Sequence, residues 1–272
     1  MSTAPAAFRR RAIFLDVDGT IMQDGHYIPS SAVAAIRAAR ANGHLVFFST
    51  GRGMAELQGE VGEIGVDGAV TNGGAFAAVG DEVIAATLFA PEDVSRLKRH
   101  LEAAGIHGYF QSFDQMFASQ GLPELLTERF TRAGLPTKVF HDYEGFDDTK
   151  IAKLVFLTDD EDAAARTLTE LGAEFEVVSG TIPVAFRASG EVAPRGVHKG
   201  AAILALLAHL GIDPADAIGI GDNWNDAEMF AVCGLSIAMG NASPEVQALA
   251  DEVTTAIDED GIHAAFLAHG LI

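Results

Sequence analysis

A rhythm of short apolar runs and amphipathic segments occupies both ends of this chain and is broken in the middle. Residues 12–17 form an apolar run rich in strand formers that ends in carboxylates, the pattern of a buried parallel strand with polar groups at its carboxyl end. Pro29, Ser30 and Ser31 open residues 32–41, where apolar side chains recur at helical spacing, and Gly43 closes the segment. Strands at 44–49 and 68–71 with a helix at 54–61 between them complete a βαβαβ unit. The rhythm returns as a helix at 200–210, a strand at 217–221, a helix at 225–232, a strand at 235–238 and a last helix near 262–268. Between about 75 and 188, strand-like pieces at 75–79, 82–88, 108–111, 153–157, 175–178 and 183–187 alternate with helices at 91–104 and 161–171. The pattern predicts an α/β fold: a doubly wound parallel sheet from residues 1–80 and 190–272, carrying an inserted α/β domain at 81–189.

Composition narrows the partners. Among 272 residues, 38 acidic side chains against 18 basic ones give a formal net charge of −20, a surface that repels nucleic acid and anionic lipid. A solvated acidic surface accounts for most of this charge without any function. Cys233 stands alone, so an intrachain disulfide and a thiolate zinc site are both excluded. Residues 201–210 are too short to span a bilayer, and residues 1–11 carry Arg9, Arg10 and Arg11 without the apolar run of a secretory signal. Cytoplasm is the expected compartment. Oligomeric state is not legible.

Four clusters fall at the carboxyl end of a core strand or the start of the following helix, the edge where open α/β sheets bind ligands. Asp16-Val17-Asp18-Gly19-Thr20 offers two carboxylates able to divide nucleophilic attack from proton donation. A calcium loop is the weaker reading, because Tyr27 stands where an EF-hand needs Glu. Ser49-Thr50-Gly51-Arg52 places a hydroxyl and backbone amides where they can hold phosphate oxygens, although simple helix capping would use the same residues. Lys199 opens a helix and could balance gathered negative charge, or could be solvated surface. Gly219-Ile220-Gly221-Asp222-Asn223-Trp224-Asn225-Asp226 supplies hard oxygen ligands of the kind magnesium prefers. Neither a dinucleotide fingerprint nor a P-loop is present, since Glu56 replaces the last glycine of one and no Ser or Thr follows the lysine of the other.

Together these residues resemble the haloacid dehalogenase (HAD) superfamily of phosphatases, whose members carry DxDGT, a Ser or Thr after the second strand, a Lys and GDxxND in this order. The chain is most similar to the Cof-type branch, through Thr50-Gly51-Arg52, Thr71-Asn72-Gly73-Gly74 and the run from Glu191 to Gly200. Gly74 and His198 depart from the branch's usual alanine and small polar residue. The resemblance implies a Rossmann-like core and an α/β cap that reads the leaving group, with Arg187, His107 and Tyr109 as candidates for that task. It further implies that Asp16 forms an aspartyl-phosphate and that Asp18 acts as general acid and then base. Magnesium would be held by Asp16, the Asp18 backbone carbonyl and Asp222, with Asp226 orienting the metal site. Thr50, Gly51, Arg52 and Lys199 would hold the phosphate, and Asn225 would contact it or support Lys199. The implied activity is hydrolysis of a small phosphorylated metabolite, a sugar phosphate first and a phosphorylated cofactor such as pyridoxal phosphate or flavin mononucleotide second. The alternatives are a phosphomutase with the same covalent intermediate and a non-catalytic relative that binds a metabolite.

Overall fold

The computed structural model describes residues 9–133, 139–142, 145–180 and 186–272. In chain order the elements are β1 (Ala12–Leu15), α1 (Ser30–Ala41), β2 (Leu45–Ser49), β3 (Gly68–Thr71), β4 (Phe76–Val79), β5 (Glu82–Ala86), α2 (Pro91–Ala104) and β6 (His107–Gln111). Then follow β7 (Met116–Ala118), α3 (Leu122–Ala133), β8 (His141–Asp142), β9 (Lys153–Thr158), α4 (Glu161–Gly172), β10 (Glu176–Ser179) and β11 (Ala188–Ala193). The remainder is α5 (Lys199–Leu210), β12 (Ala217–Gly221), α6 (Ala227–Val232), β13 (Leu235–Ala238), α7 (Pro244–Gln247), β14 (Glu252–Val253) and α8 (Gly261–Ala268).

The first sheet has the order β14-β13-β12-β1-β2-β3-β4-β5, parallel as far as β3 and antiparallel beyond it. Successive side chains of β1 point to opposite faces. Ile13 and Leu15 pack with Ile36 of α1 and Phe266 of α8, whereas Ala12 and Phe14 pack with Ile203 and Leu206 of α5. Phe14 stacks on Phe47 of β2 with ring centroids 5.4 Å apart. The chain winds outward from β1 through β2 to β3, then returns to the other side of β1 as β12. This is a doubly wound α/β fold, and the crevice at its switch point opens between the carboxyl ends of β1 and β12.

The second sheet, β10-β11-β9-β6-β7-β8, is antiparallel except for its β7–β8 edge. Leu97 of α2 and Ala164 of α4 cover one face, and Leu122, Leu126 and Phe130 of α3 cover the other.

Several expectations need correction. β5 pairs inside the first sheet and β11 inside the second, so the chain passes between the sheets after residue 86 and after residue 193, later than the expected crossings near 80 and 190. Residues 54–61 form only a 3-10 turn at Met54–Glu56; Gly59, with φ +66°, ends any continuation. Of the expected strand at 183–187, residues 183–185 lie outside the described residues, and the strand found is β11. Gly190 disguised it, because a Cβ there would enter the ring of Phe156 and only glycine fits. β7, α3, β8, α7 and β14 were not expected at all. No helix among the described residues is long and apolar enough to cross a membrane.

Candidate active site

Asp16 follows β1 directly, and its N–H donates to the Ile220 carbonyl of β12 at 2.9 Å, which fixes it over the crevice. Lys199 enters from the first turn of α5, where His198 caps the helix by accepting from the Ala201 N–H. A Cβ on Gly74 would strike the His198 carbonyl, so the two residues that depart from the branch pattern meet in space. The Lys199 side chain is buried, and its Nζ donates to Asp16 Oδ1 at 2.6 Å and to Asp226 Oδ1 at 2.5 Å. The other oxygen of Asp226 accepts the N–H groups of Asp222 and Asn223 at 3.0 and 3.1 Å. Asp226 is thus spent on holding the lysine and shaping the turn that presents Asp222.

Asp222 accepts from the Thr20 hydroxyl at 3.0 Å and lies over Gly19, where φ is +88° and a Cβ would collide with the carboxylate. Carboxylate oxygens of Asp16, Asp222 and Asp226 come within 4.8 Å of one another. Burial drives Asp16 well above the ordinary carboxylate range, Lys199 opposes this, and the charges of Asp226 and Asp222 add to it. Burial and then Asp226 push Asp222 up to about 6, against the pull of Thr20 and Lys199. Lys199 is raised: burial works against its charge, but Asp16 and Asp226 outweigh it. Three carboxylates therefore share one ammonium, and the deficit of positive charge is what a divalent cation would fill.

The Thr50 loop sits beside this cluster. The Thr50 N–H donates to Val70, its hydroxyl accepts from the Arg52 N–H at 3.1 Å, and its carbonyl accepts from Gly73. The Gly51 N–H has no protein acceptor among the described residues. Two of the expected phosphate-binding residues have surroundings that the sequence did not indicate. Arg52 faces Asp18, donating through Nε at 2.8 Å and Nη2 at 2.6 Å to its two carboxylate oxygens. Asn225 is exposed on the turn Trp224–Asp226 and does not touch Lys199, whose partners are Asp16 and Asp226. Burial lifts the Cys233 thiol to about 12, which removes the only thiol as a nucleophile.

The sequence profile of the haloacid dehalogenase-like hydrolases matches residues 13–266. The chain belongs to that family. Its resemblance to the Cof-type branch stands, and it is a phosphoric monoester hydrolase. Among relatives, the HMP-PP phosphatase of Escherichia coli O8 (strain IAI1) is 28% identical over 246 residues, covering 88% of this chain and 87% of that one. Protein YkrA of Bacillus subtilis (strain 168) is 28% identical over 270 residues, 96% of this chain and 98% of its own. Among solved structures, the HAD subclass IIB sugar phosphatase BT4131 superposes with a TM-score of 0.77 at 28% identity, covering 96% of this chain and all of the other. A protein from Geobacillus kaustophilus HTA426 reaches 0.84 at 26% identity, covering 97% and 100%.

Residues of this hydrolase that the sequence did not flag lie where the second sheet meets the Thr50 loop. Gln111 of β6 donates to the Glu56 carboxylate at 2.8 Å and accepts from Asn72 at 3.0 Å, and Glu56 in turn caps the Gly53 N–H. Lys153 of β9 reaches the Gly51 carbonyl. A lysine heading an otherwise apolar strand was the one available signal. Of the expected leaving-group readers, Tyr109 is buried against Phe140, half-buried His107 has its ring 6.4 Å from that of Phe186, and the neighbouring Arg187 is exposed with its N–H on Asp159.

Proposed function

We propose that this hydrolase removes phosphate from a small phosphorylated metabolite by way of a phosphoryl group carried on Asp16. The observation that carries this is the buried Asp16–Lys199–Asp226 cluster with Asp222 beside it, at the switch-point crevice of the sheet. One oxygen of Asp16 is held by Lys199 and the other is left to attack phosphorus. The new oxygen–phosphorus bond forms as the bond to the leaving oxygen breaks, and Asp18 supplies that oxygen with a proton. Asp18 then takes a proton from water, the water oxygen attacks phosphorus, and free phosphate and the Asp16 carboxylate are regenerated.

Thr50 Oγ, the Gly51 N–H and Lys199 hold the phosphoryl oxygens. A dianion entering beside Thr50 offers Arg52 a second partner and releases Asp18 for proton transfer. The donor set fits magnesium held by Asp16, Asp222 and the Asp18 backbone carbonyl. When bound, magnesium neutralises the carboxylates and the phosphate that would otherwise repel each other.

Sugar phosphates lead the substrate classes and phosphorylated cofactors follow, a ranking supported by what BT4131 and the HMP-PP phosphatase are named for. The test is phosphate release over a panel of phosphorylated metabolites with magnesium, alongside Asp16→Asn. The wild type is expected to turn over some of the panel and Asp16→Asn none. Substantial activity in a folded Asp16→Asn protein would overturn the assignment.

A further inference from the structure

Nothing in this mechanism uses Lys153, yet its side chain is only 4% exposed, and a buried ammonium is costly unless its partners are specific. Among the described residues those partners are two. Glu191 on the neighbouring strand β11 lies at 2.5 Å, and the Gly51 carbonyl oxygen accepts from Nζ at 2.9 Å. The second contact crosses from one sheet to the loop that follows β2 of the other. Gln111, the register partner of Lys153 on β6, crosses at the same place to Glu56 and Asn72.

The Gly51 carbonyl and the Arg52 N–H are opposite ends of one planar peptide unit. Lys153 holds the oxygen end, while the hydrogen end donates to Thr50 Oγ1 at 3.1 Å. With one lone pair of that hydroxyl so occupied, its own proton is free to be donated elsewhere. At position 51 a Cβ would meet nothing within 4 Å, and glycine lets the peptide plane turn easily, so the plane depends on what holds its ends.

We propose that Lys153 is a positioning residue that aims the Thr50 hydroxyl at the transferring phosphoryl group through the Gly51–Arg52 peptide, a role that rests on the phosphatase reading above. The hydroxyl is aimed when the second sheet is seated on the loop, which makes enclosure of the substrate and binding of its phosphate a single event.

The test is a double-mutant cycle on the full chain with magnesium and para-nitrophenyl phosphate, comparing wild type, Lys153→Met, Thr50→Val and the double variant. Lys153→Met is expected to lower kcat/KM about tenfold or more, as loss of an aimed donor does. The double variant should match Thr50→Val to within about twofold, because the lysine acts only through that hydroxyl. Lys153→Arg, which keeps a donor, should stay closer to wild type than Lys153→Met. Independent, multiplying losses, an unchanged kcat/KM in Lys153→Met, or equal losses in the Met and Arg variants would each overturn the proposal. If circular dichroism shows Lys153→Met unfolded, Lys153→Gln, too short to reach the carbonyl, takes its place under the same criteria. Asp16→Asn in the same assay separates the two readings. If it is inactive and the cycle is additive, only the role of Lys153 fails; if it is active, the phosphatase mechanism fails as well.

Discussion

Asp222 sets the electrostatic demand of the site at the scale of single residues. Burial and the neighbouring Asp226 hold it at about 6, above the ordinary 3.8. A carboxylate raised in this way binds more protons folded than unfolded across that interval, so its contribution to stability is present at low pH and is lost as pH rises from 3.8 to about 6. A divalent cation needs the deprotonated form and displaces the proton. Magnesium should therefore raise the Tm more at about pH 7.5 than at about pH 5, as scanning calorimetry at both values would show; equal shifts would contradict this account of the cluster. Lys199 and Asp226 took their roles from the family resemblance, whereas Asp16 and Asp222 were legible in the sequence because each sits in a short local motif whose spacing has a chemical reason. The Arg52–Asp18 pair and the Lys153–Gly51 contact were not, since their partners lie 34 and 102 residues apart and no local pattern announces them.

The elements divide along the same line. The central strands of the first sheet, β1, β2, β3, β12 and β13, were legible because burial on both faces writes continuous apolar runs, as in the Ala-Ile-Phe-Leu of β1. α3 went unread although Leu122, Leu126 and Phe130 stand at helical spacing, because Pro123 looks like a break; in a first helical turn proline leaves no internal bond unmade. Those three side chains seal one face of the second sheet. Leu126→Ala should cost about 2–5 kcal/mol, measured by urea denaturation, because the methyl groups removed are almost fully buried. A loss below about 1 kcal/mol would mean that α3 does not pack there as described.

For the whole molecule, a chain of net charge −20 concentrates buried carboxylates at one crevice and brings a second sheet down on the adjoining loop. Charge of that sign argues against holding a phosphate at all unless positive charge is aimed at it, and the Lys199 ammonium with the cation of the proposed mechanism would supply that charge. Asp18→Asn should expose the intermediate, because para-nitrophenolate leaves without a proton donor whereas water still needs a base to attack. The decisive measurement is mass spectrometry of Asp18→Asn protein, acid-quenched after exposure to magnesium and para-nitrophenyl phosphate. The account predicts one added phosphoryl group on the peptide that contains Asp16, absent when Asp16→Asn is also present. Release of nitrophenol with no phosphorylated peptide, or with the phosphoryl group on another residue, would contradict it.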